Sequence, residues 1–333
     1  MSGMFIGIDV SKLKLDAAAT VDGLAMVSRK TVDNNAKGWR ALSEWARRHA
    51  RKLKLSGIHY VFESTGIYGH ALLEFLEEEP DAIVSMVNPM QIKGFGTSLL
   101  KRTKTDKADA ELIARFAAIM KPLANERIPS ELKELKALVR HHRYLMDRRA
   151  EVRQRMEGVT NPDILSSMED SIENDSRQIK EIERKIRAHI GRHPGLKRDV
   201  ELLKSIPGIS DTTAHLLLCE MHAARKEGKL SRKAQTAHAG LAPMQRQSGS
   251  SVRGKTKLCK AGNARIRKGL YFPAVTAIKC NVAVSEFYGR LVSNGKSKMV
   301  ALTAAMRKLL GIAIGVLNNQ TPFDQQWHKQ KPA

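Results

Sequence analysis

Four carboxylates in the first 110 residues have the chemistry and spacing of a metal site. Asp106 and Asp109 stand three positions apart on a predicted helix, which places both on one helical face. Asp9 and Glu63 each stand near the end of a short apolar segment of strand length. Carboxylate oxygens suit Mg²⁺ or Mn²⁺, and two such ions about 3.5–4 Å apart can clamp the attacking and leaving oxygens of a phosphodiester.

Each of these acids also has an ordinary structural explanation. An acid at a strand end can be a solvated residue or a helix cap, and acids in a first helical turn complement the helix dipole. The basic residues around Asp106 and Asp109 favour a different interpretation, in which the acids stay anionic in a site that also attracts phosphate. These basic residues are Lys101, Arg102, Lys104 and Lys107.

A second candidate for chemistry is the serine cluster in the segment Gln245–Tyr271, which contains eight Lys/Arg residues and no acid. Gly249 permits a sharp turn in the cluster Ser248, Gly249, Ser250 and Ser251, and such a turn can present a serine hydroxyl to a ligand. The cations that follow suit a phosphate backbone. The alternative is a solvated basic loop, and this segment alone leaves both open. The expected nucleic-acid contacts are Arg253, Lys255, Lys257, Lys260, Arg265 and Arg267, with Arg102 and Lys104 upstream.

The elements that must position the acids follow an α/β pattern. Three strands come first, followed by a helix, a strand, a helix, a strand and then further helices. This order predicts an antiparallel opening followed by parallel strands. The predicted strands are 4–10, 13–20, 25–32, 58–63 and 82–89, and helices are predicted at 35–50, at 68–79 and after Asp106.

The middle of the chain, 126–195, predicts a helical coiled-coil spacer that serves oligomerisation. Two apolar stripes at helical spacing are interrupted at Asn161-Pro162, which favours two long helices. The basic cluster 140–143 is a candidate for nucleic-acid contact. His141 and His142 are adjacent, so they cannot both face one metal ion from a helix.

The remainder, 196–333, is expected to be mainly helical. Leu202–Glu220 has the pattern of a helix-hairpin-helix, with Pro207 and Gly208 in the hairpin and Ser210 or Asp211 capping the second helix. The hairpin amides and the helix N-terminus of such a unit hold a DNA phosphate. A plain helical packing unit is the alternative.

The composition favours a nucleic-acid partner. The 333 residues have a net charge of +23 and a pI near 10.1, a field that attracts nucleic acid or an anionic membrane surface. No uninterrupted apolar run reaches the roughly 18 residues that span a bilayer, and the first residues lack signal-peptide organisation. The three cysteines lack disulfide or metal-ligand spacing. These features indicate a cytoplasmic protein without a membrane partner.

Several motifs together resemble one family. GIDVSK with Asp9, FESTG with Glu63 and KTDKADA with Asp106 and Asp109 resemble the DEDD catalytic set of a group of insertion-sequence transposases. The N-terminal part is similar to the RNase H-like fold of Holliday-junction resolvases (RuvC-like). GLAP, QSGSSVRGK, KAGNARIRKGLYFPA and AMRKLL resemble the C-terminal transposase domain of the same family, so the resemblance covers essentially the whole chain.

This resemblance implies a division into a RuvC-like DEDD domain at 1–125, a helical spacer at 126–195 and a C-terminal transposase domain at 196–333. It implies that the four acids bind Mg²⁺ or Mn²⁺ and that Ser248 is a covalent nucleophile, the two parts forming one composite site. It also implies donor and target DNA, a structured noncoding bridge RNA as guide, a homo-oligomer (dimer or tetramer), and a prokaryotic cytoplasmic, nucleoid-associated location.

Two alternatives stay open at this point. The first is a resolvase-like nuclease that hydrolyses DNA with metal-activated water, in which Ser248 is structural. The second is a non-catalytic protein that binds nucleic acid. They differ in whether a covalent protein–DNA link forms and whether strands break.

Overall fold

A computed structural model of the chain describes residues 3–64, 66–99, 105–221, 225–226, 229–248, 252–259 and 261–325. The chain divides into two compact units, Met1–Arg127 and Ile128–Ala333. The ends of the predicted spacer share a core with the helices that follow it. Its separate role stays a prediction.

The first unit is built on a five-stranded sheet with the strand order β3-β2-β1-β4-β5. β1 pairs antiparallel with β2 and parallel with β4, while β2–β3 is antiparallel and β4–β5 is parallel. This mixed α/β sheet, with an antiparallel opening and parallel later strands, was predicted from the sequence. The strands are β1 Met4–Val10, β2 Lys14–Thr20, β3 Met26–Asp33, β4 Ile58–Glu63 and β5 Ala82–Val87.

Helices cover both faces of this sheet. The face formed by Ile6, Ile8 and Phe62 packs with α1 and α2 in one core, and the opposite face packs with α3 and α4. Period-two alternation along each strand produces this division. The helices are α1 Ala36–Lys52, α2 His70–Glu78, α3 Pro89–Ser98 and α4 Asp106–Met120.

Helix α4 lies unusually close to the sheet at Gly7. A Cβ atom on Gly7 would stand 2.1 Å from the Ala114 amide nitrogen and 2.4 Å from the Ala110 carbonyl oxygen. Ala18, opposite Gly7 on β2, is buried against the same two alanines. The absence of a side chain at Gly7 therefore sets the position of α4 across β1 and β2.

The second unit begins with two long helices, α5 Ser130–Met156 and α6 Pro162–Arg192. They pack antiparallel, with contacts from His142 to Glu183 and from Arg148 to Asp175. The Asn161 side chain accepts hydrogen bonds from the first amides of α6, and Pro162 suits a first helical turn. Two helices broken at this point were predicted; a coiled coil for oligomerisation stays a prediction.

Two members of the basic cluster 140–143 face the protein interior. Arg140 pairs with the buried Glu220, and His142 is 6% exposed beside Glu183. The expectation that this cluster contacts nucleic acid is wrong for His142, because the protein covers its ring. It is weakened for Arg140, because the guanidinium is paired with the buried Glu220.

Seven shorter helices and two small antiparallel strand pairs complete the described part of the second unit. Most of these helices share one hydrophobic core with the ends of α5 and α6. The elements are α7 Pro194–Lys204, α8 Asp211–Met221, β6 Arg225–Lys226, β7 Lys229–Leu230, α9 Arg232–His238, β8 Pro243–Ser248, β9 Val252–Leu258, α10 Ala264–Gly269, α11 Tyr271–Cys280, α12 Val282–Ser293 and α13 Lys298–Asn319.

Helix α13 is long and apolar enough to cross a membrane by length and composition, with a mean hydropathy of 1.8 in its most apolar window. The apolar run in the sequence is shorter than a membrane span, because Arg307 and Lys308 interrupt it. Just over half of that window, 56%, is buried within the protein. Its buried residues belong to the core of the second unit.

Candidate active site

Strand register brings three acids to one end of the first sheet. Asp9 stands directly opposite Asp16 in the β1–β2 pair, and Glu63 follows the Ile8–Phe62 pair by one residue on parallel β4. Asp9 lies two residues beyond Gly7, so the two residues lie on the face that α4 covers. Asp16 and Glu63 lie on this face as well, by the same alternation.

Helix α4 brings the other two acids to this end of the sheet. Asp106 and Asp109 occupy its first turn. Thr105 caps the helix: its side chain accepts a hydrogen bond from the Ala108 amide at 3.2 Å, and its carbonyl accepts one from the Asp109 amide at 2.8 Å. The position of α4 against Gly7 places this turn beside Asp9. The four acids predicted from the sequence therefore lie at one end of the sheet.

Two residues of this site were not predicted, Lys14 and Asp16. Lys14 Nζ lies 3.0 Å from Asp16 Oδ2 and 2.8 Å from Asp106 Oδ2. Asp16 is only 4% exposed, and Thr31 Oγ1 donates a hydrogen bond to its Oδ1 at 2.6 Å. The sequence does contain a signal for Asp16, because it is an acid inside the apolar strand sequence KLDAAAT. An isolated buried carboxylate is costly, so such an acid is expected to have a partner.

The electrostatics of the site are those of crowded negative charge. Burial, followed by the neighbouring charges of Asp106, Asp109 and Asp16, raises the pKa of Asp9 to about 6. Lys14 acts in the opposite direction on Asp9. The hydrogen bond and charge of Lys14 hold the pKa of the Asp106 carboxyl below its usual value.

The donor chemistry fits a divalent cation. All the donors are carboxylate oxygens, the ligand type that Mg²⁺ and Mn²⁺ prefer. The pKa of Asp9 is raised first by burial and then by like charges, and a bound cation would offset those like charges. Within the described ranges, no three His, Cys, Asp or Glu side chains already stand close enough to hold one ion. Metal binding would therefore require these side chains to move closer together.

Ser248 is the last residue of β8 in the second unit. The strands β8 and β9 form a hairpin in which Ser248 pairs with Val252, Gln247 with Arg253 and Arg246 with Gly254. The sequence predicts a turn here but not the strands, because QRQS and VRGKTKL lack the apolar alternation of a half-buried strand. Backbone pairing therefore fixes the position of Ser248 at the end of the hairpin.

The base of this hairpin is held by the helices on either side. The Cys259 amide donates to the Ala242 carbonyl at 2.9 Å, and the Asn263 amide donates to the His238 carbonyl at 2.5 Å. Gly262 has φ +145°, and a Cβ atom there would stand 2.4 Å from the His238 carbonyl oxygen. The chain that enters the hairpin and the chain that leaves it are therefore in close contact.

A buried carboxylate, Glu220, stabilises the segments at the foot of the hairpin. Glu220 on α8 is 3% exposed, and its carboxylate accepts hydrogen bonds from Arg140 Nε at 3.0 Å and Arg140 Nη2 at 3.3 Å. Asn263 Nδ2 donates to the same carboxylate at 2.7 Å, while Asn263 Oδ1 caps α10. Burial alone would raise the pKa of Glu220, but Arg140 and Asn263 hold it below its usual value.

The predicted nucleic-acid contacts are distributed over several elements of the second unit. Lys257 in β9 and Arg265 in α10 are exposed, whereas Arg267 donates a hydrogen bond to the Ala239 carbonyl at 3.2 Å. Arg253 and Lys255 occupy alternate positions in the β9 backbone. Three further predicted contacts, Arg102, Lys104 and Lys260, lie outside the described residues.

The predicted hairpin at Pro207 and Gly208 connects α7 to α8. Gly208 has φ +101°, and a Cβ atom there would stand 2.8 Å from the Ala277 Cβ of α11. This turn borders a cavity of about 540 Å³ at the start of α8. The lining includes hydroxyl groups and cations from three helices, namely Ser210, Thr212, Thr213, Arg143 and Lys268.

An α/β sheet with acids gathered at the end of β1, joined to a strongly basic helical unit, is the arrangement of an enzyme that processes nucleic acid. Comparison with known proteins agrees with this class. Residues 6–161 match a family described as transposase, of the DEDD type, and residues 200–289 match the transposase IS116/IS110/IS902 family.

Two curated relatives align over 332 residues, 99% of this chain and their whole length, with 32% identity. They are pilin gene-inverting proteins from Moraxella bovis and Moraxella lacunata. An insertion element IS110 uncharacterized 43.6 kDa protein from Streptomyces coelicolor is 24% identical over 163 residues, 49% of this chain and 38% of its own. The chain therefore belongs to the DEDD transposase family of insertion elements: it is a DNA recombination enzyme, and its fold is consistent with the RNase H-like group.

Proposed function

We propose that this transposase cuts and rejoins the DNA of an insertion element through a covalent phosphoserine link at Ser248. In this reaction Ser248 Oγ loses its proton and bonds to a DNA phosphorus, and the leaving deoxyribose oxygen takes up a proton as its bond to phosphorus breaks. A hydroxyl of the receiving strand then attacks the phosphoserine and frees the serine. One phosphodiester replaces another, so no ATP is needed.

The observation that carries this proposal is the gathering of Asp9, Glu63, Asp106 and Asp109 at one end of the sheet, with the raised pKa of Asp9. We propose that these four residues hold Mg²⁺ or Mn²⁺. Such ions would stabilise negative charge on the scissile phosphate and the leaving oxygen. Asp9 would have to be ionised to serve as a ligand, which favours neutral pH.

The position of Ser248 supports its role as the nucleophile. A serine hydroxyl reacts slowly unless it is held in place and assisted. The hairpin base, fastened through Glu220 and Asn263, restricts the chain that leads to Ser248. Arg253 and Lys255, a few residues further along β9, are the candidates for assisting charge at the phosphate.

The basic second unit supports DNA binding at more than one place. We propose that the turn at Pro207 and Gly208, with the first amides of α8, holds one phosphate, because the cavity beside it is lined by hydroxyl groups, Arg143 and Lys268. Lys257 and Arg265 would contact the backbone near Ser248. Counterion release at these cations would supply much of the affinity.

We further propose that a structured bridge RNA of the element selects the donor and target DNA, and that the protein acts as a homo-oligomer in the prokaryotic cytoplasm, at the nucleoid. The net charge of +23 attracts the phosphate backbones of both DNA and RNA. The Moraxella relatives are named for inverting a pilin gene. Inversion and transposition both require strands to be cut and rejoined, which the same serine chemistry would achieve.

The test is a search for the covalent link. Labelled donor and target DNA are incubated with the protein, Mg²⁺ and the element's RNA, and the products are separated under denaturing conditions. We expect a protein–DNA adduct that is lost in Ser248→Ala and in Asp106→Asn. Ser250→Ala and Asp170→Asn, which remove a hydroxyl two positions later in the sequence and an exposed acid of α6, serve as matched controls and should retain the adduct.

The same experiment separates the alternatives. Cleaved strands without an adduct, unchanged in Ser248→Ala, would indicate a metal-dependent nuclease that uses activated water. Binding without strand breakage, in the presence of RNA, both DNAs and metal, would indicate a protein that only binds nucleic acid. Either result would reject the phosphoserine mechanism.

A further inference from the structure

Lys14 is a cation inside the acidic site that the proposed reaction does not use. Its Nζ lies 3.0 Å from Asp16 Oδ2 on β2 and 2.8 Å from Asp106 Oδ2 on α4. One ammonium group therefore joins a strand to the first turn of the helix. The Lys14 side chain is 47% exposed, so it can leave this position without disturbing the core.

The two carboxylates that Lys14 contacts differ in their freedom to move. Asp16 is buried and holds the Thr31 hydroxyl at 2.6 Å, so it is fixed in the sheet. The Asp106 side chain is 55% exposed in a first helical turn and can change rotamer. Of the two contacts, the one to Asp106 is therefore the one that can exchange.

We propose that Lys14 is an internal counter-ion that competes with the divalent cation for Asp106. This inference rests on the proposed metal role of Asp106. A dication bound to that carboxylate at about 2.1 Å would lie within roughly 5 Å of an ammonium on the same group, and the two would repel each other strongly. Lys14 must therefore release Asp106 as the cation binds, while it keeps Asp16 as its partner.

This exchange has a structural consequence for the site. Lys14 holds the first turn of α4 against β2 and offsets part of the repulsion among Asp9, Asp16 and Asp106. The acids are thereby kept together before a cation arrives. The same contact lowers the affinity for that cation, because binding must first break it.

The first test measures metal binding directly. Mn²⁺ is titrated calorimetrically into the full chain, into Lys14→Met and into the matched variant Lys12→Met, which removes an exposed lysine two residues earlier. We expect Lys14→Met to bind Mn²⁺ about tenfold more tightly than the unmodified chain, and Lys12→Met to match it. Equal affinities in all three proteins, or equal gains in both variants, would overturn the proposal.

The second test separates displacement from simple repulsion at a distance. The protein is treated briefly with a water-soluble acetylating ester, with and without saturating Mn²⁺, and acetylation of each lysine is measured by mass spectrometry. We expect Lys14 to react more slowly than Lys12 without Mn²⁺, and faster than before once Mn²⁺ is bound, although still more slowly than Lys12 because it keeps Asp16 as its partner. A Lys14 acetylation rate that saturating Mn²⁺ leaves unchanged would show that Lys14 keeps Asp106, and would overturn the proposal.

Asp106→Asn distinguishes the two possible failures. If Mn²⁺ binds the unmodified chain and Asp106→Asn equally, or binds neither, the metal role of Asp106 is wrong and the competition with Lys14 falls with it. If Asp106→Asn weakens Mn²⁺ binding while neither Lys14 measurement changes, only the counter-ion proposal is wrong.

Discussion

At the scale of single residues, Asp9 shows how crowded carboxylates at one end of a sheet disfavour the ionised form of one of them. Its pKa of about 6 lies above the ordinary value of 3.8 because burial and three neighbouring carboxylates disfavour the ionised form. In the unfolded chain these neighbours are absent. Between about pH 4 and pH 6 the folded protein therefore binds more protons at Asp9 than the unfolded protein, and stability falls as the pH rises through this window.

Asp9→Asn should remove this penalty. We expect the variant to be more stable than the unmodified protein at pH 7.5 by about 1–2 kcal/mol, a figure reduced for the solvent that reaches this half-buried group. The difference should vanish at pH 4, where Asp9 is largely protonated in the folded protein. Urea unfolding at both pH values, with a chelator present, measures it. A variant that is less stable at pH 7.5 would contradict the conclusion that ionised Asp9 destabilises the folded protein.

At the scale of elements, the packing of α4 on β1 decides whether the acids meet. Gly7→Ala would drive a methyl group into the α4 backbone at Ala110 and Ala114. We expect a loss of about 1–3 kcal/mol in the free energy of unfolding, and weaker Mn²⁺ binding because α4 must shift. Gly57→Ala is the control, since a Cβ atom there meets no atom within 4 Å. Equal effects of the two substitutions would mean that the close approach does not matter.

The sequence predicted most of the strands and helices that carry the acids, but few of the contacts between them. Apolar alternation predicted the strands that hold Asp9 and Glu63, and the spacing of Asp106 and Asp109 predicted one helical face. The Lys14–Asp106 contact joins residues 92 positions apart, which no local pattern reveals. The β8–β9 hairpin was missed because its strands carry cations where a period-two apolar signal would stand. Its position depends on the buried contacts of Glu220, which the sequence likewise does not show.

At the scale of the whole molecule, charge dominates the behaviour toward nucleic acid. The excess of 57 Lys/Arg over 34 Asp/Glu predicts DNA affinity that falls steeply with salt. Removing Lys257 and Arg265 together should weaken binding uniformly across sequences and reduce the slope of log K against log salt by about 2. Arg51 and Lys52 at the end of α1 provide a control pair of equal charge. A similar change of slope in both pairs would indicate a general field effect rather than contacts.

Glu220, Arg140 and Asn263 have a consequence for the order in which the protein is made. The three residues come from helices that are synthesised 80 and 43 positions apart, and their contacts form only when all three helices have emerged and packed. Contacts between distant segments form late, because the intervening loops must close first. We therefore expect the strand pair bearing Ser248 to become ordered near the end of folding, so that an incomplete chain on the ribosome lacks the fixed hairpin that carries this serine.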